Sequence, residues 1–379
     1  MSRACQKAFV FAFLAIIFAV PVFQGVWEKA VEKESPRVLG LFKKVPSEPN
    51  LRAYEKDLEE NSQVAGWLRP LHRQLRWWVM RDLGDKAVAA SDGWAYYGPD
   101  IHYLAEPYFR DLKASKPQDD PVPAIDDFRQ QLARRNIRLL VVPIPTKGAV
   151  QPGHLRSGLA TQLALSSHSR RFLDELRGRG IDVLDLYTPF VQEAGAHPEK
   201  NLYLKADTHW TGEGARFAAG LLAARVRELL GPTGFEPKRS YRRESVTVPR
   251  RPDIPRMSRL PLEASAFPPE PTAVYRVLDD KGEPYADEDE SQILLLGDSF
   301  SRIYQTDEPG AAGWIANLAY ELGTPLTTIV NDGGASTLVR QELARTPELL
   351  DGKRLVIWSF VERDVRFGMK GWEKIAIDE

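Results

Sequence analysis

Residues Ile293-Leu294-Leu295-Leu296-Gly297-Asp298-Ser299-Phe300-Ser301 carry the reading that decides the fold. An unbroken aliphatic run has no amphipathic period, which suits a strand covered on both faces, as in a parallel sheet. Gly297 ends the run and lets the chain bend sharply, so Ser299 is presented at the carboxyl end of a strand and the start of a helix. Open α/β sheets place reactive groups at that edge. A helix starting there also aims backbone N–H groups at a developing oxyanion. The plainer alternative is that Asp298 or Ser299 only caps the helix.

About ninety residues earlier stands Asp207-Thr208-His209-Trp210. A serine hydroxyl is a weak nucleophile until a base within hydrogen-bond reach takes its proton, and a carboxylate must hold that base in the right tautomer. Ser299, His209 and Asp207 are therefore the candidate nucleophile, base and orienting acid. Asp207 reaches the imidazole from two residues away only if the segment is bent, since both side chains must lie on one side.

Further out, the pattern is α/β. A helix around 122–135 precedes a strand at 137–144, and a helix around 159–178 precedes a strand at 181–186. A helix from Gly212 to Leu230 follows, with Thr211 as its N-cap. After residue 290 come strand 292–296, a helix after Ser299, strand 326–330, a helix near 336–346 and strand 354–360. Strands alternating with helices predict a mostly parallel sheet flanked by helices on both faces. Residues 231–290, rich in Pro, Arg and acidic residues, read as an insertion of long loops with strands near 244–248 and 272–277.

The amino terminus differs in kind. Arg3 and Lys7 precede an uncharged apolar stretch over 8–23, and Trp27 stands where a membrane interface would fall. No small-residue cleavage site follows, so the stretch reads as an uncleaved signal anchor with its amino terminus in the cytoplasm; a cleaved signal peptide is the alternative. Either way residues 30–379 are exported. The predicted organisation is an anchor helix over 1–29, a linker and juxtamembrane helical segment over 30–88, and a catalytic domain over 89–379. Within 51–84 the apolar residues Leu58, Val64, Trp67, Leu71, Leu75, Trp78 and Val79 recur at helical spacing. Cys5 is the only cysteine, so the exported part holds no disulfide and no thiol nucleophile. The 51 basic and 52 acidic residues balance, which argues against nucleic acid as a partner.

The Asp207-Thr208-His209-Trp210 and Gly297-Asp298-Ser299-Phe300 pair, in this order, resembles the alginate O-acetyltransferase family of the AlgJ and AlgX type. Asp92-Gly93-Trp94, Pro143-Ile144-Pro145-Thr146-Lys147, Gly333-Gly334 and Ile357-Trp358-Ser359-Phe360-Val361-Glu362-Arg363 extend the similarity over roughly residues 90–365. The resemblance implies an SGNH-hydrolase-like domain with permuted motif order. It implies an acetyl-enzyme on Ser299, general acid/base action by His209, orientation by Asp207, and one oxyanion donor from the Ser299 N–H, beside Gly297. The second donor is open between Asn331 and the Gly333-Gly334 backbone. Lys147 and Arg363 are candidates for contact with an anionic saccharide, against the simpler reading of each as a structural ion pair. Trp210, Trp94 and Tyr97 are candidate sugar platforms, with core packing favoured for Trp94. No recognisable carbohydrate-binding module follows residue 365, which favours the membrane-anchored form.

The expected function is therefore extracytoplasmic O-acetylation of a polysaccharide at the bacterial inner membrane, on the periplasmic side. The resemblance implies that a membrane-bound O-acyltransferase partner delivers the acetyl group, the donor itself being left open, and no cofactor or metal is expected. An esterase using the same residues is the nearest alternative, and a non-catalytic polymer-binding assembly factor another. A di-metal phosphoesterase is disfavoured, because the chain lacks a Gly-Asn-His segment and has only six histidines.

Overall fold

The structure, a computed structural model, describes residues 3–112, 116–231, 239–260 and 266–377. Residues 232–238 and 261–265 of the expected insertion lie outside that set. The chain forms two compact units: residues up to 82 with the short piece at 259–261, and the remainder.

In the first unit, α1 (Arg3–Trp27) runs into a single wider turn, Glu28–Glu32. The apolar helix is long enough to cross a bilayer over Phe13–Glu32, by length and composition. The buried Glu28 carboxylate accepts the backbone N–H of Arg37 at 2.7 Å, so the stretch expected as a linker has an ordered start. The helical pattern over 51–84 is two helices, α2 (Glu48–Asn61) and α3 (Gln63–Met80). The break is at Ser62, whose hydroxyl caps α3 by accepting from Ala65 N at 3.2 Å.

The second unit opens with a hairpin, β1 (Ala87–Ala89) and β2 (Ala95–Tyr97), then α4 (Gly98–Ala105) and α5 (Pro121–Arg134). Strand β3 (Arg138–Ile144) leads through the single turn α6 (Lys147–Val150) to α7 (Ser157–Ala164) and α8 (His168–Gly178). The predicted helix over 159–178 is thus two, broken where the Ser166 hydroxyl turns onto the His168 ring at 2.6 Å. The strand expected over 181–186 shrinks to β4 (Asp182–Val183), because only Leu140 and Val141 of β3 pair with it. Then come α9 (Tyr187–Ala196) and α10 (Gly212–Leu230), the latter capped by Thr211 as predicted.

The inserted region is a long antiparallel pair, β5 (Arg242–Arg250) and β6 (Glu270–Leu278), enclosing the short helix α11 (Asp253–Met257). The chain finishes with β7 (Ile293–Gly297), the one-turn α12 (Ser299–Arg302), α13 (Trp314–Leu322), β8 (Thr327–Val330), α14 (Leu338–Arg345), β9 (Leu355–Val361) and α15 (Asp364–Phe367).

The main sheet is parallel throughout, in the order β4-β3-β9-β7-β8. Because strand side chains alternate in direction, the aliphatic runs supply two cores at once. Leu140, Val142, Ile293, Leu295, Leu355 and Ile357 face one side, under α10, α13 and the β5–β6 pair. Leu139, Val141, Leu294, Leu296, Val356, Trp358 and Phe360 face the other, under α5, α8 and α14. Both faces being covered, the carboxyl edge is where polar groups can gather, and β3, β7, β8 and β9 all end there, at Lys147, Ser299, Asn331 and Arg363.

Candidate active site

Gly297 ends β7 against Ser301: a Cβ there would come within 2.2 Å of the Ser301 hydroxyl and 2.7 Å of its Cβ. Only glycine allows the turn to close this tightly. Asp298 then caps α12, its Oδ1 accepting Phe300 N and its Oδ2 accepting Val361 N, each at 2.9 Å. The cap is therefore supplied by Asp298, and the Ser299 hydroxyl faces elsewhere. It lies 2.9 Å from His209 Nε2.

The histidine arrives on a small closed loop. Leu204 N bonds His209 O, Thr211 N bonds Leu202 O, and Tyr203 bridges Trp210. Inside it, Asp207 Oδ1 folds back to accept the backbone N–H of His209 at 3.1 Å, a local Asx turn. The same oxygen lies 2.7 Å from His209 Nδ1. This is the bend that the two-residue spacing requires. A carboxylate at Nδ1 makes that nitrogen the donor, so Nε2 presents its lone pair to Ser299. Phe300 packs its ring on the imidazole at 4.8 Å.

Three groups outside both motifs hold this loop. Lys147 is buried, and its ammonium donates to the carbonyls of Ala95, Leu204, Lys205 and Asp207 at 2.5–3.0 Å. Burial pulls it down to about 8, against the pull of Asp253 and Asp207. Asp253, at the start of α11, accepts from Thr208 N at 2.8 Å and Thr208 Oγ1 at 2.6 Å, and lies 3.6 Å from His209 Nδ1. Arg250, at the end of β5, places Nε 3.3 Å from Asp207 Oδ2 and bonds Asp307 at 2.9 Å.

Burial alone would favour neutral forms, yet the pair polarises. The His209 imidazole is lowered by burial but raised more by the Asp207 charge and hydrogen bond, so its pKa ends above the ordinary value. Burial raises Asp207, but His209 and Arg250 outweigh it and hold the carboxyl well below the usual range. Asp253 goes the other way: burial and the neighbouring Asp207 charge both push it up.

The ligand atoms of Asp207, His209 and Asp253 lie within 4.8 Å of one another, a spacing a metal could use. Their lone pairs are already engaged by N–H and O–H donors, and Arg250 brings a positive charge to Asp207. This donor set suits a proton relay better than a cation.

Other expectations are corrected. Trp210 is fully buried, edge-on to Phe300 at 5.1 Å and tilted against Trp314, so it has no face for a sugar. Among the described residues Lys147 makes no ion pair, and its four carbonyls seal it from any saccharide. Arg363 is the structural ion pair that was the simpler reading: it bonds the buried Asp100 at 3.0 Å and lies over Tyr97. Asn331 N is bonded to Gly297 O, and Gly334 N to Asn331 O, so these two N–H groups are not free for an oxyanion. The Asn331 side chain and the Gly333 N–H remain, Gly333 being exposed and in the left-handed region at φ 68°. Gly333 lines a cleft of about 450 Å³ with Tyr97, Arg363, Asp364 and Phe367. Trp94 is core, stacked on His154 at 4.2 Å.

Arg250 and Asp253 escaped the sequence reading, since no local pattern in the Pro- and Arg-rich insertion marks them. Arg250 also heads an ionic chain: Asp307 bonds Arg302 of α12, and Arg302 holds Asp332 at 2.8 Å. The Asp207–His209, Ser299 and Asn331–Gly334 segments are thus tied through one line of charges.

Residues 87–362 match the family described as "SGNH hydrolase-like domain, acetyltransferase AlgX". The chain is 28% identical over 264 residues to the probable alginate O-acetylase AlgJ of Azotobacter vinelandii, covering 66% of this chain and 64% of that protein. It is 27% identical to the AlgJ of Pseudomonas fluorescens, covering 63% and 60%. The chain thus spans less than two thirds of the length of these relatives. In fold it resembles the O-acetyltransferase domain of Pseudomonas putida AlgJ, with TM-score 0.56 and 22% identity over 74% of this chain and 92% of that one. Pseudomonas aeruginosa AlgX superposes with TM-score 0.54 and 21% identity, over 73% and 61%. With the matched region taking up most of its length and this parallel sheet beneath it, the chain belongs to the SGNH hydrolase-like acetyltransferase family of AlgX and AlgJ.

Proposed function

We propose that the chain is an O-acetyltransferase that passes acetyl groups to hydroxyls of an exopolysaccharide outside the cytoplasm, through an acyl-enzyme on Ser299. The observation that carries this is the unbroken line from Asp207 through His209 to Ser299, with steps of 2.7 and 2.9 Å, in a chain of this family. Ser299 Oγ attacks the acetyl carbonyl of the donor while His209 Nε2 takes its proton, and the donor's leaving group departs with that proton. A sugar hydroxyl then attacks the acetyl-serine, giving its proton to His209, which passes it to the departing Ser299 Oγ as the sugar ester forms. The Ser299 N–H, at the start of α12, is one oxyanion donor, and Gly333 N–H is the remaining backbone candidate for the second. Relatives named alginate O-acetylases support a polymer of alginate type as acceptor.

The helix α1, apolar over a bilayer's width, serves as an anchor that leaves the catalytic unit on the periplasmic side. That compartment lacks cytoplasmic acyl carriers, so a membrane-bound O-acyltransferase partner supplies the acetyl group.

The test is incubation of the purified protein with an activated acetyl ester and a short polyuronate. Acetyl mass on Ser299 and ester groups on the oligosaccharide, both lost in Ser299→Ala and unaffected by EDTA, are the expected results. Acetate release without sugar acetylation would make the chain an esterase. Activity that survives Ser299→Ala would overturn the acyl-enzyme.

A further inference from the structure

The helix α3 carries a face that its own unit leaves bare. Trp67, Leu68, Leu71, Leu75, Trp78 and Val79 fall on one side at 100° per residue, and all are at least half exposed, Trp78 by 67% and Val79 by 73%. The opposite side carries Arg69, Arg73 and Arg76. Single exposed apolar residues need no explanation, but a continuous stripe with two tryptophans does. The helix cannot itself cross a bilayer, because its 18 residues include those arginines together with Pro70 and His72.

Two contacts set its level. The Gln24 side chain, near the end of α1, accepts from Ser62 Oγ at 3.2 Å and from Val64 N at 3.3 Å. Trp67 packs edge-on against Trp27 at 5.1 Å and Phe23 at 6.1 Å. The first turns of α3 therefore meet α1 between Phe23 and Trp27, within the last ten residues of the Phe13–Glu32 stretch and on the side of the bilayer where that stretch ends. The charge agrees. Arg69, Arg73 and Arg259 stand close enough for Arg73 to feel both the others, and among the described residues no carboxylate pairs with any of the three.

We propose that α3 lies in the plane of the membrane surface, its Trp67–Val79 face among the acyl chains and Arg69, Arg73 and Arg259 against the phosphates of anionic phospholipids. This rests on the reading of α1 as a membrane-spanning anchor. The span then fixes the chain to the membrane, and α3 restrains how the following residues leave it.

The test uses the full chain with Cys5→Ser, carrying either Phe18→Cys or Leu75→Cys, spin-labelled and reconstituted in phosphatidylcholine–phosphatidylglycerol vesicles. Accessibility to oxygen and to a water-soluble nickel chelate is measured at each label. The label at position 75 should favour oxygen, as the one at position 18 does. Its immersion should lessen in vesicles of phosphatidylcholine alone, or when Arg69, Arg73 and Arg259 are all changed to Gln. With position 18 in lipid, a position 75 label open to nickel overturns the proposal. One shielded from both reagents overturns it in favour of a protein partner on that face. A position 18 label open to nickel instead fails the anchor reading, and the proposal with it. Immersion indifferent to lipid charge removes the role given to the arginines.

Discussion

Asp207 is held at both oxygens, by His209 at Oδ1 and by Arg250 near Oδ2, and this division sets the chemistry of the pair. Asp207→Asn keeps an acceptor for the His209 backbone but loses the charge and the tautomer preference. Turnover should fall by about 10³–10⁴-fold with the melting temperature little changed, as steady-state kinetics beside calorimetry would show. In the proposed mechanism the His209 imidazole must be neutral to take the Ser299 proton, and its pKa lies above the ordinary imidazole value. The rate should therefore rise with pH through a limb displaced upward from that value. Arg250 opposes the protonated imidazole. Arg250→Gln should accordingly move the acidic limb of kcat/KM to higher pH, whereas a purely structural loss would lower the profile without moving it. Asp253 raises the imidazole as Asp207 does, so Asp253→Asn, removing a negative charge, should move the limb the other way.

At the scale of elements, the β5–β6 pair is part of the site rather than a peripheral insertion. It presses on the first turn of α10: a Cβ on Gly212 would lie 2.2 Å from Ala273 O and 2.7 Å from Val274 Cα, both backbone of β6. Gly212→Ala must therefore part the helix from the strands. It should cost about 1–3 kcal/mol in denaturant unfolding. It should also lower kcat, because β5 ends in Arg250. Gly220, in the same helix with nothing among the described residues within 4 Å of its would-be Cβ, is the control: Gly220→Ala should be neutral or slightly stabilising.

For the whole molecule, burying charge beneath the carboxyl edge makes stability depend on pH. The buried Glu362 carboxyl accepts from Ser169 Oγ at 2.5 Å, and burial lifts it to about 7 from an ordinary 4.5. The folded form thus holds its proton more tightly than the unfolded chain. That contribution is complete below the unfolded value and lost as pH rises toward 7. Glu362→Gln keeps an acceptor for Ser169 and removes the charge. Its melting temperature should fall less than the wild type's between pH 5 and 8, with a gain of roughly 2 kcal/mol at the alkaline end. Equal slopes for the two proteins would show that Glu362 is not the group responsible.

What the chain's local chemistry determined by itself was whatever is encoded by neighbours. The run Ile293–Leu296 announced a doubly covered strand because aliphatic side chains on both faces of a strand can be buried only in a sheet with two cores. Thr211 announced its cap because a short polar side chain bonds N–H groups two or three residues on, whereas the choice between Asp298 and Ser299 as cap of α12 was settled only by the structure. Ser299, His209 and Asp207 stood out as candidates from their two motifs, and it is the structure that brings the two motifs within hydrogen-bond reach across ninety residues. Tertiary structure alone decided the rest. Arg250 and Asp253 reach His209 and Asp207 from more than forty residues away, and no periodicity records a contact at that distance. The fates of Lys147 and Trp210 were settled likewise: an ammonium or an indole becomes a plug or a core residue only when other segments close over it. The short β4 followed from which strand had a partner, since hydrogen bonding between strands belongs to the sheet and not to either strand.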